Sequence, residues 1–158
     1  MDKEETKAVD EAFELSQEVA YRAIGKAIVI IGFLSYTSFL AMDWYLYPDS
    51  FRELAIARLS ASAVLFSSIF LIDILQGKML YRAGLVVALA PALSTVCMTY
   101  FVGGATSPYY AGIVLVFIFS ATALPWHYIY NVISISISVA AYVFVSYVYE
   151  QTHTTPPD

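Results

Sequence analysis

The sequence predicts an all-α protein: a polytopic membrane helix bundle with five transmembrane helices, preceded by a cytoplasmic amphipathic helix. Apolar residues make up 59% of the 158 positions and charged residues only 13%, whereas globular domains average about 45–50% and about 25%. The apolar residues form runs close to the length of about 20 residues that crosses a bilayer. Seven of the 13 acidic residues lie within the first 18 positions, so the remaining chain is almost neutral. Too few charges remain to cover a water-soluble surface.

Residues 1–26 are predicted to contain the cytoplasmic amphipathic helix. Its small and apolar residues recur at spacings of four and three, which is the pattern of a coiled-coil seam. These residues are Val9, Phe13, Ser16, Ala20, Ala23 and Ala27. Two interpretations fit the seam: it pairs with a second copy in a homodimer, or it packs on its own bundle or on the membrane surface.

Residues 27–149 are predicted to form the transmembrane bundle. Pro91 lies inside the third segment and predicts a kink there. The fifth segment holds Ser134-Ile135-Ser136-Ile137-Ser138, which alternates like a strand. An isolated strand could not satisfy its backbone in lipid, so we expect a helix with a hydroxyl-bearing face. The five segments cover about residues 27–47, 54–75, 79–102, 108–125 and 128–149.

A turn of small residues is predicted between the third and fourth segments. Proline suits the first turn of a helix, because the N–H that it lacks would be unpaired there and its φ is already helical. The turn residues are Gly103, Gly104, Ser107 and Pro108.

The distribution of lysine and arginine predicts the orientation. Six of these residues precede the first segment or lie in the second turn: Lys3, Lys7, Arg22, Lys26, Lys78 and Arg82. Only Arg52 and Arg58 lie on the opposite side. The positive-inside rule then places the N-terminus in the cytoplasm, and five crossings leave residues 150–158 outside as a polar tail or loop.

Two ionisable residues near the predicted outer boundary form the first half of a candidate site. Asp43 ends the first segment and Arg58 begins the second, so an ion pair between them is geometrically reasonable. The pair is either a structural clip between helices or part of a ligand-contacting pocket. Aromatic side chains should gather on the same side, as an interfacial belt or as the mouth of a pocket for a small lipophilic molecule. The candidate pocket residues are Asp43, Trp44, Arg58, Tyr100, Tyr109 and Tyr110.

Several functional classes lack support in the sequence. The acidic N-terminal segment argues against nucleic acid as a partner. His127 and His153 are isolated, and Cys97 is the single cysteine, so we expect no metal site and no internal disulfide. No phosphate-binding loop or nucleophile motif is present. We therefore expect neither a cofactor nor a catalytic site in these residues.

A resemblance to a known family is carried by the run Gly103-Gly104-Ala105-Thr106-Ser107-Pro108-Tyr109-Tyr110-Ala111-Gly112, followed by an apolar helix and Pro125-Trp126. This run resembles the membrane domain of bacterial class III adenylate cyclases and related sensor histidine kinases. The turn Tyr47-Pro48-Asp49-Ser50-Phe51-Arg52-Glu53-Leu54, with Arg58 following, is similar to the same family and to its quorum-sensing kinase relatives. Together the matches cover about a quarter of the chain.

The resemblance implies a dimeric six-helix unit in the bacterial inner membrane, with a cytoplasmic N-terminus. Such units feed a C-terminal cyclase or kinase through a coiled coil and act as receptors for small lipophilic signals, or as regulatory anchors. This sequence carries five of the six helices, and residues 150–158 read as the loop before a sixth. The chain is then a fragment or a free-standing relative. Two hypotheses follow: a receptor or anchor module without its own active site, or an accessory subunit of a larger membrane complex.

Overall fold

The computed structural model describes residues 3–76, 78–123 and 128–153. The described residues are almost all helical and contain no strand, so the predicted all-α class is confirmed. Pro125, Trp126, His127 and residues 154–158 lie outside the described residues. The helices are α1 (Lys3–Leu46), α2 (Phe51–Ile74), α3 (Lys78–Phe101), α4 (Tyr110–Ala123) and α5 (Tyr128–His153).

Four stretches are long and apolar enough to cross a membrane: Arg22–Leu46, Pro48–Ile74, Met79–Phe101 and Tyr128–His153. Helix α4 is equally apolar but has only 14 residues, which span about 21 Å at 1.5 Å per residue. That is less than the hydrocarbon core of about 30 Å. The chain is therefore a membrane-type helix bundle, and the count of five crossings stays a prediction.

Helix α1 is continuous over 44 residues. The predicted boundary between residues 26 and 27 falls inside this helix, without a break in the backbone. Val9 and Phe13 from the predicted seam are each about 60% exposed, so these two side chains do not pack on the bundle. For these two residues, packing on the chain's own bundle therefore does not explain the seam.

Helix α3 is the centre of the bundle. It packs against α2, α4 and α5, while α1 packs mainly on α2. Among the four long apolar stretches, the one in α3 is the most buried. Its Pro91 has no N–H, which leaves the carbonyl of Val87 without its usual helical donor. A cluster of buried side chains from α1, α2 and α3 forms the core: Val29, Leu65, Ile72, Leu80, Val87 and Ala88.

The alternating Ser-Ile run is helical, as predicted from its place in an apolar segment. Ser134 and Ser138, four residues apart on one face of α5, are fully buried, whereas Ser136 is exposed. The Ser138 hydroxyl donates to the Ser134 carbonyl at 2.8 Å. Small side chains of this kind let helices approach closely in a membrane bundle.

The end of α2 is fixed to α1 by two cationic side chains, which we call the Arg22 joint. The Arg22 guanidinium donates to the carbonyl oxygens of Ile72 (2.9 Å), Asp73 (3.1 Å) and Leu75. The Lys26 ammonium lies 2.5 Å from the Asp73 carboxylate. Carbonyls at a helix C-terminus lack intrahelical donors and carry partial negative charge, so a cation there is stabilising.

Candidate functional site

An ion pair between Asp43 and Arg58 lies at the other end of the α1–α2 interface. Asp43 is in the last turn of α1, and Arg58 is two turns into α2. The Arg58 Nε donates to Asp43 Oδ2 at 2.6 Å, and its Nη2 donates to Oδ1 at 3.1 Å. Both residues are less than 5% exposed. The predicted pair is thus present, in the two-bond geometry that makes an arginine–carboxylate contact strong.

The Arg58 side chain is held by three more neighbours. Its Nη1 donates to the carbonyl oxygen of Tyr36 at 3.2 Å, and Nη2 lies 3.6 Å from the Met98 sulfur. The guanidinium carbon is 4.7 Å from the ring centroid of Tyr36 and 5.7 Å from that of Phe39. A cation close to aromatic faces gains attraction that grows when water is excluded. The guanidinium is therefore fixed in position by α1 and α3 together.

Tyr109 brings the connection between α3 and α4 into contact with α1. Its hydroxyl donates to Asp43 Oδ1 at 2.5 Å, and its ring centroid lies 5.8 Å from that of Tyr47. The buried Ser107 accepts a hydrogen bond from the Tyr109 N–H at 3.3 Å, which orders the backbone just before α4. Asp43 of α1 therefore accepts three hydrogen bonds, two from Arg58 of α2 and one from Tyr109 of the turn. We call Asp43, Arg58 and Tyr109 the Asp43 joint.

The turn that positions Tyr109 depends on two glycines. Gly103 and Gly104 have φ values of +97° and +59°, where residues with side chains are strained. The buried Gly104 also lies directly against the Tyr149 ring, and a Cβ at this position would overlap that ring. Helix α4 begins at Tyr110, two residues after the predicted start at Pro108. The predicted turn thus has a packing role in addition to its backbone geometry.

A cavity of about 570 Å³ lies between α1, α3 and α4 and ends at the Asp43 joint. On α1 the lining extends from Ile28 to Leu46, and on α4 it extends from Gly112 to Ser120. Most of these side chains are apolar, and the charged ones are Asp43 and Arg58. The stretch of α1 along the cavity is about 27 Å long, close to the hydrocarbon core of about 30 Å. We call this cavity the α1–α4 groove.

Three of the six predicted pocket residues meet at this groove: Asp43, Arg58 and Tyr109. Trp44 does not line it, because its side chain is 68% exposed and its ring packs at 5.3 Å against Phe51. The side chain of Tyr110 is 56% exposed and also lies outside the lining.

Tyr100 belongs to a different cluster. Its ring lies edge-on to those of Tyr149 and His153, each at 6.0 Å, and His153 stacks on Tyr149 at 4.2 Å. This aromatic cluster supports the same turn from the α5 side, since Tyr149 also contacts Gly104. Of the six predicted residues, the structure therefore separates those that line a cavity from those that lie on the surface or support the turn.

Tyr36 and Phe39 line the groove and were not among the candidate residues. Tyr36 precedes Asp43 by seven residues, which is two helical turns, so both lie on one face of α1. Its hydroxyl also lies near the Pro91 carbonyl (3.4 Å) and the Thr95 hydroxyl (3.5 Å) of α3. The heptad spacing to an acidic residue at membrane depth was the signal in the sequence that could have identified it.

The described residues contain no group of three histidine, cysteine, aspartate or glutamate side chains that could hold a metal ion. Cys97 has an exposed thiol on α3. What the groove can do chemically is therefore set by one compensated charge pair, a few tyrosine, serine and threonine hydroxyls and a long apolar wall. This set can bind and orient a molecule.

Comparison with protein families, with curated proteins and with solved structures found no match. The resemblance to the membrane domain of adenylate cyclases and histidine kinases is carried by the quoted residues alone. It stays a prediction.

Proposed function

We propose that this chain is a membrane receptor module that binds a small lipophilic ligand in the α1–α4 groove and regulates a cytoplasmic enzyme of the adenylate cyclase or histidine kinase type. The observation that carries the proposal is an apolar cavity of about 570 Å³ that ends at three buried or half-buried polar side chains. Ligand sites typically have about 300–1,000 Å³ and an apolar lining with a few polar groups that fix orientation. An apolar ligand reaches such a site from the bilayer.

The Asp43 joint provides the proposed link between binding and signalling. Tyr109 precedes α4, whereas Asp43 belongs to α1, and their hydrogen bond crosses the end of the groove. A ligand that competes for this hydrogen bond favours arrangements in which the bond is broken and the distance between α1 and α4 is changed. A ligand shifts such an equilibrium only by the difference in its affinity for the two arrangements. Because α1 continues to Lys3, the shift is carried toward the N-terminal segment.

The proposal includes an orientation and an assembly. The N-terminus lies in the cytoplasm, the chain crosses the bacterial inner membrane five times, and the exposed Val9 and Phe13 pair with a second copy in a homodimer. Lys7 and Glu150 are then on opposite sides. Single cysteines at these positions, in a Cys97→Ser background, should differ in labelling by a membrane-impermeant maleimide in intact cells. Labelling of Glu150→Cys alone is expected, and equal labelling of both would contradict five crossings.

A photoactivatable long-chain diazirine alcohol tests the groove directly. In membranes containing the full chain, we expect crosslinks to concentrate on the groove-facing residues of α1 and α4. Ser35→Phe places a ring in the groove and should reduce this labelling several-fold, because Ser35 lines it. Ser38→Phe is the matched control, since Ser38 is an exposed serine of the same helix outside the lining. Labelling spread evenly over all lipid-facing helices, with equal effects of both variants, would remove the support for a ligand site.

The second candidate function is an accessory subunit of a larger membrane complex. The open side of the groove favours it, because a helix of a partner protein could fill the same apolar surface. In that case the chain should co-purify with a much larger assembly in mild detergent, and the probe should label the groove only after the assembly is dissociated.

A further inference from the structure

A second cavity of about 570 Å³ lies between α2 and α3, beside the turn that connects them. On α2 its lining includes Val64, Ser67 and Leu71, and on α3 it includes Ala83 and Val86. The hydroxyls of the two lining serines donate to carbonyls of their own helix, at 2.8 Å for Ser67 and 2.6 Å for Ser68. The wall of this cavity is therefore apolar in effect. We call it the α2–α3 groove.

The length of the α2–α3 groove corresponds to one leaflet of a bilayer. From Ala63 on α2 to Leu75 just after this helix, the lining covers 12 residue steps, which is about 18 Å at 1.5 Å per residue. Half of a hydrocarbon core of about 30 Å is about 15 Å. The α1–α4 groove, in contrast, extends along nearly the full core. The α2–α3 groove is thus about as long as a hydrocarbon chain that enters the bilayer from one membrane surface and ends near its middle.

Arg82 lies at the end of the α2–α3 groove nearest the connecting turn. Its guanidinium Nη1 is 3.9 Å from the sulfur of Met79, one turn nearer the start of α3, so the side chain points toward the membrane boundary. Arg82 is exposed, and no described carboxylate lies within ion-pair distance of it. The neighbouring cation Lys26 is already paired with Asp73. Among the described side chains that line this groove, Arg82 is therefore a cation that an external anion can reach.

We propose that the α2–α3 groove binds an anionic phospholipid, with its phosphate on Arg82 and one acyl chain along the groove. The occupant follows from charge complementarity and length together. A guanidinium matches a phosphate in two-bond geometry, and phospholipid phosphates lie at the boundary to which the Arg82 side chain points. Basic pockets between transmembrane helices bind acidic headgroups in this way. The site is separate from the α1–α4 groove and does not depend on the proposed receptor function.

Native mass spectrometry of the full chain in detergent tests the proposal. The probe is an equimolar mixture of phosphatidylglycerol and phosphatidylcholine with the same acyl chains. We expect the wild-type protein to retain phosphatidylglycerol preferentially. Arg82→Gln should lower this retention about fivefold, corresponding to about 1 kcal/mol for one arginine near a membrane surface. Arg52→Gln is the matched control and should have no effect, because Arg52 is an exposed arginine near the opposite end of α2.

A second pair of variants tests the acyl-chain part of the site. Ser67→Phe fills the groove and should lower retention of phosphatidylglycerol, whereas Ser60→Phe should not. Both serines are exposed on α2 and donate to their own helix, and only Ser67 lines the groove. Inorganic phosphate should displace no lipid.

Three results would overturn the proposal. The first is equal retention of the two lipids by the wild-type protein. The second is an equal loss of phosphatidylglycerol in Arg82→Gln and Arg52→Gln, which would indicate a general charge effect. The third is a change in oligomeric mass on Ser67→Phe with lipid retention unchanged, which would indicate that a second copy covers this groove.

Discussion

Helix α1 is attached to α2 by charged side chains at two places, and the two attachments differ in burial. In the Asp43 joint the Asp43 and Arg58 side chains are 4% and 5% exposed, and their charged groups are 2.6 Å apart. In the Arg22 joint the Lys26 and Asp73 side chains are 39% and 59% exposed at a comparable distance of 2.5 Å. Distance alone therefore does not rank the two pairs. Water near the exposed pair screens its attraction and solvates either partner if the other is removed.

The buried joint restricts which residues can occupy positions 43 and 58, whereas the exposed joint is an adjustable contact. If either partner of the buried pair is replaced by an uncharged residue, the other is left as an uncompensated charge among apolar side chains. The exposed pair can open and close at small cost. The fixed end of the α1–α2 interface is thus the end at the α1–α4 groove, where a ligand would need a preformed site.

Arg58→Met should have the largest effect. Removing one partner of a buried pair leaves the other charge uncompensated and costs about 3–5 kcal/mol of the free energy of unfolding. The double variant Asp43→Leu/Arg58→Met should be more stable than Arg58→Met, because no charge is left behind. Denaturant unfolding in detergent micelles provides the measurement. Additive losses in the double variant would contradict the pairing.

Tyr109→Phe should have an intermediate effect within the Asp43 joint. The variant removes one hydrogen bond to a charged acceptor, worth about 2 kcal/mol, while Asp43 keeps both bonds from Arg58. Tyr110→Phe is the neighbouring control and should change the free energy of unfolding by less than about 0.5 kcal/mol, as expected for a surface substitution. Equal effects of the two variants would mean that the bond to Asp43 contributes nothing to stability.

Arg22→Gln should have a smaller effect, of about 1 kcal/mol, because its carbonyl partners at the end of α2 are partly accessible to water. The measurement is again the free energy of unfolding, with Arg52→Gln as an exposed arginine control. A loss as large as that of Arg58→Met would show that both joints are equally constrained and would remove the contrast between them.

Lys26→Met should have the smallest effect, below about 1 kcal/mol, because exposed ion pairs contribute little. The loss should disappear in about 1 M salt, where the Debye length is about 3 Å. The loss in Arg58→Met should persist at the same salt concentration. A salt-resistant effect of Lys26→Met would show that this pair is more shielded from water than its exposure indicates.

The helical class and the Asp43–Arg58 pair could be predicted from the sequence, since both follow from hydropathy and from the cost of isolated charges in lipid. The groove could not. Its lining depends on which side of α1 faces α4, and α1 has apolar residues on much of its circumference. Trp44 and Tyr109 are equally aromatic and near the same boundary, yet Trp44 points outward and Tyr109 reaches Asp43. Tertiary packing alone distinguishes them.

Helix α1 is a single rod, because its backbone is uninterrupted. Its 44 residues extend about 66 Å, and Asp43 lies about 60 Å from the Lys3 end. The buried Asp43 joint is the more fixed of the two attachments, so a tilt of α1 would turn about this joint. A tilt of about 5° would then move the Lys3 end by about 5 Å. A small change of angle beside the α1–α4 groove would thus become a displacement of about one helical turn in the N-terminal segment.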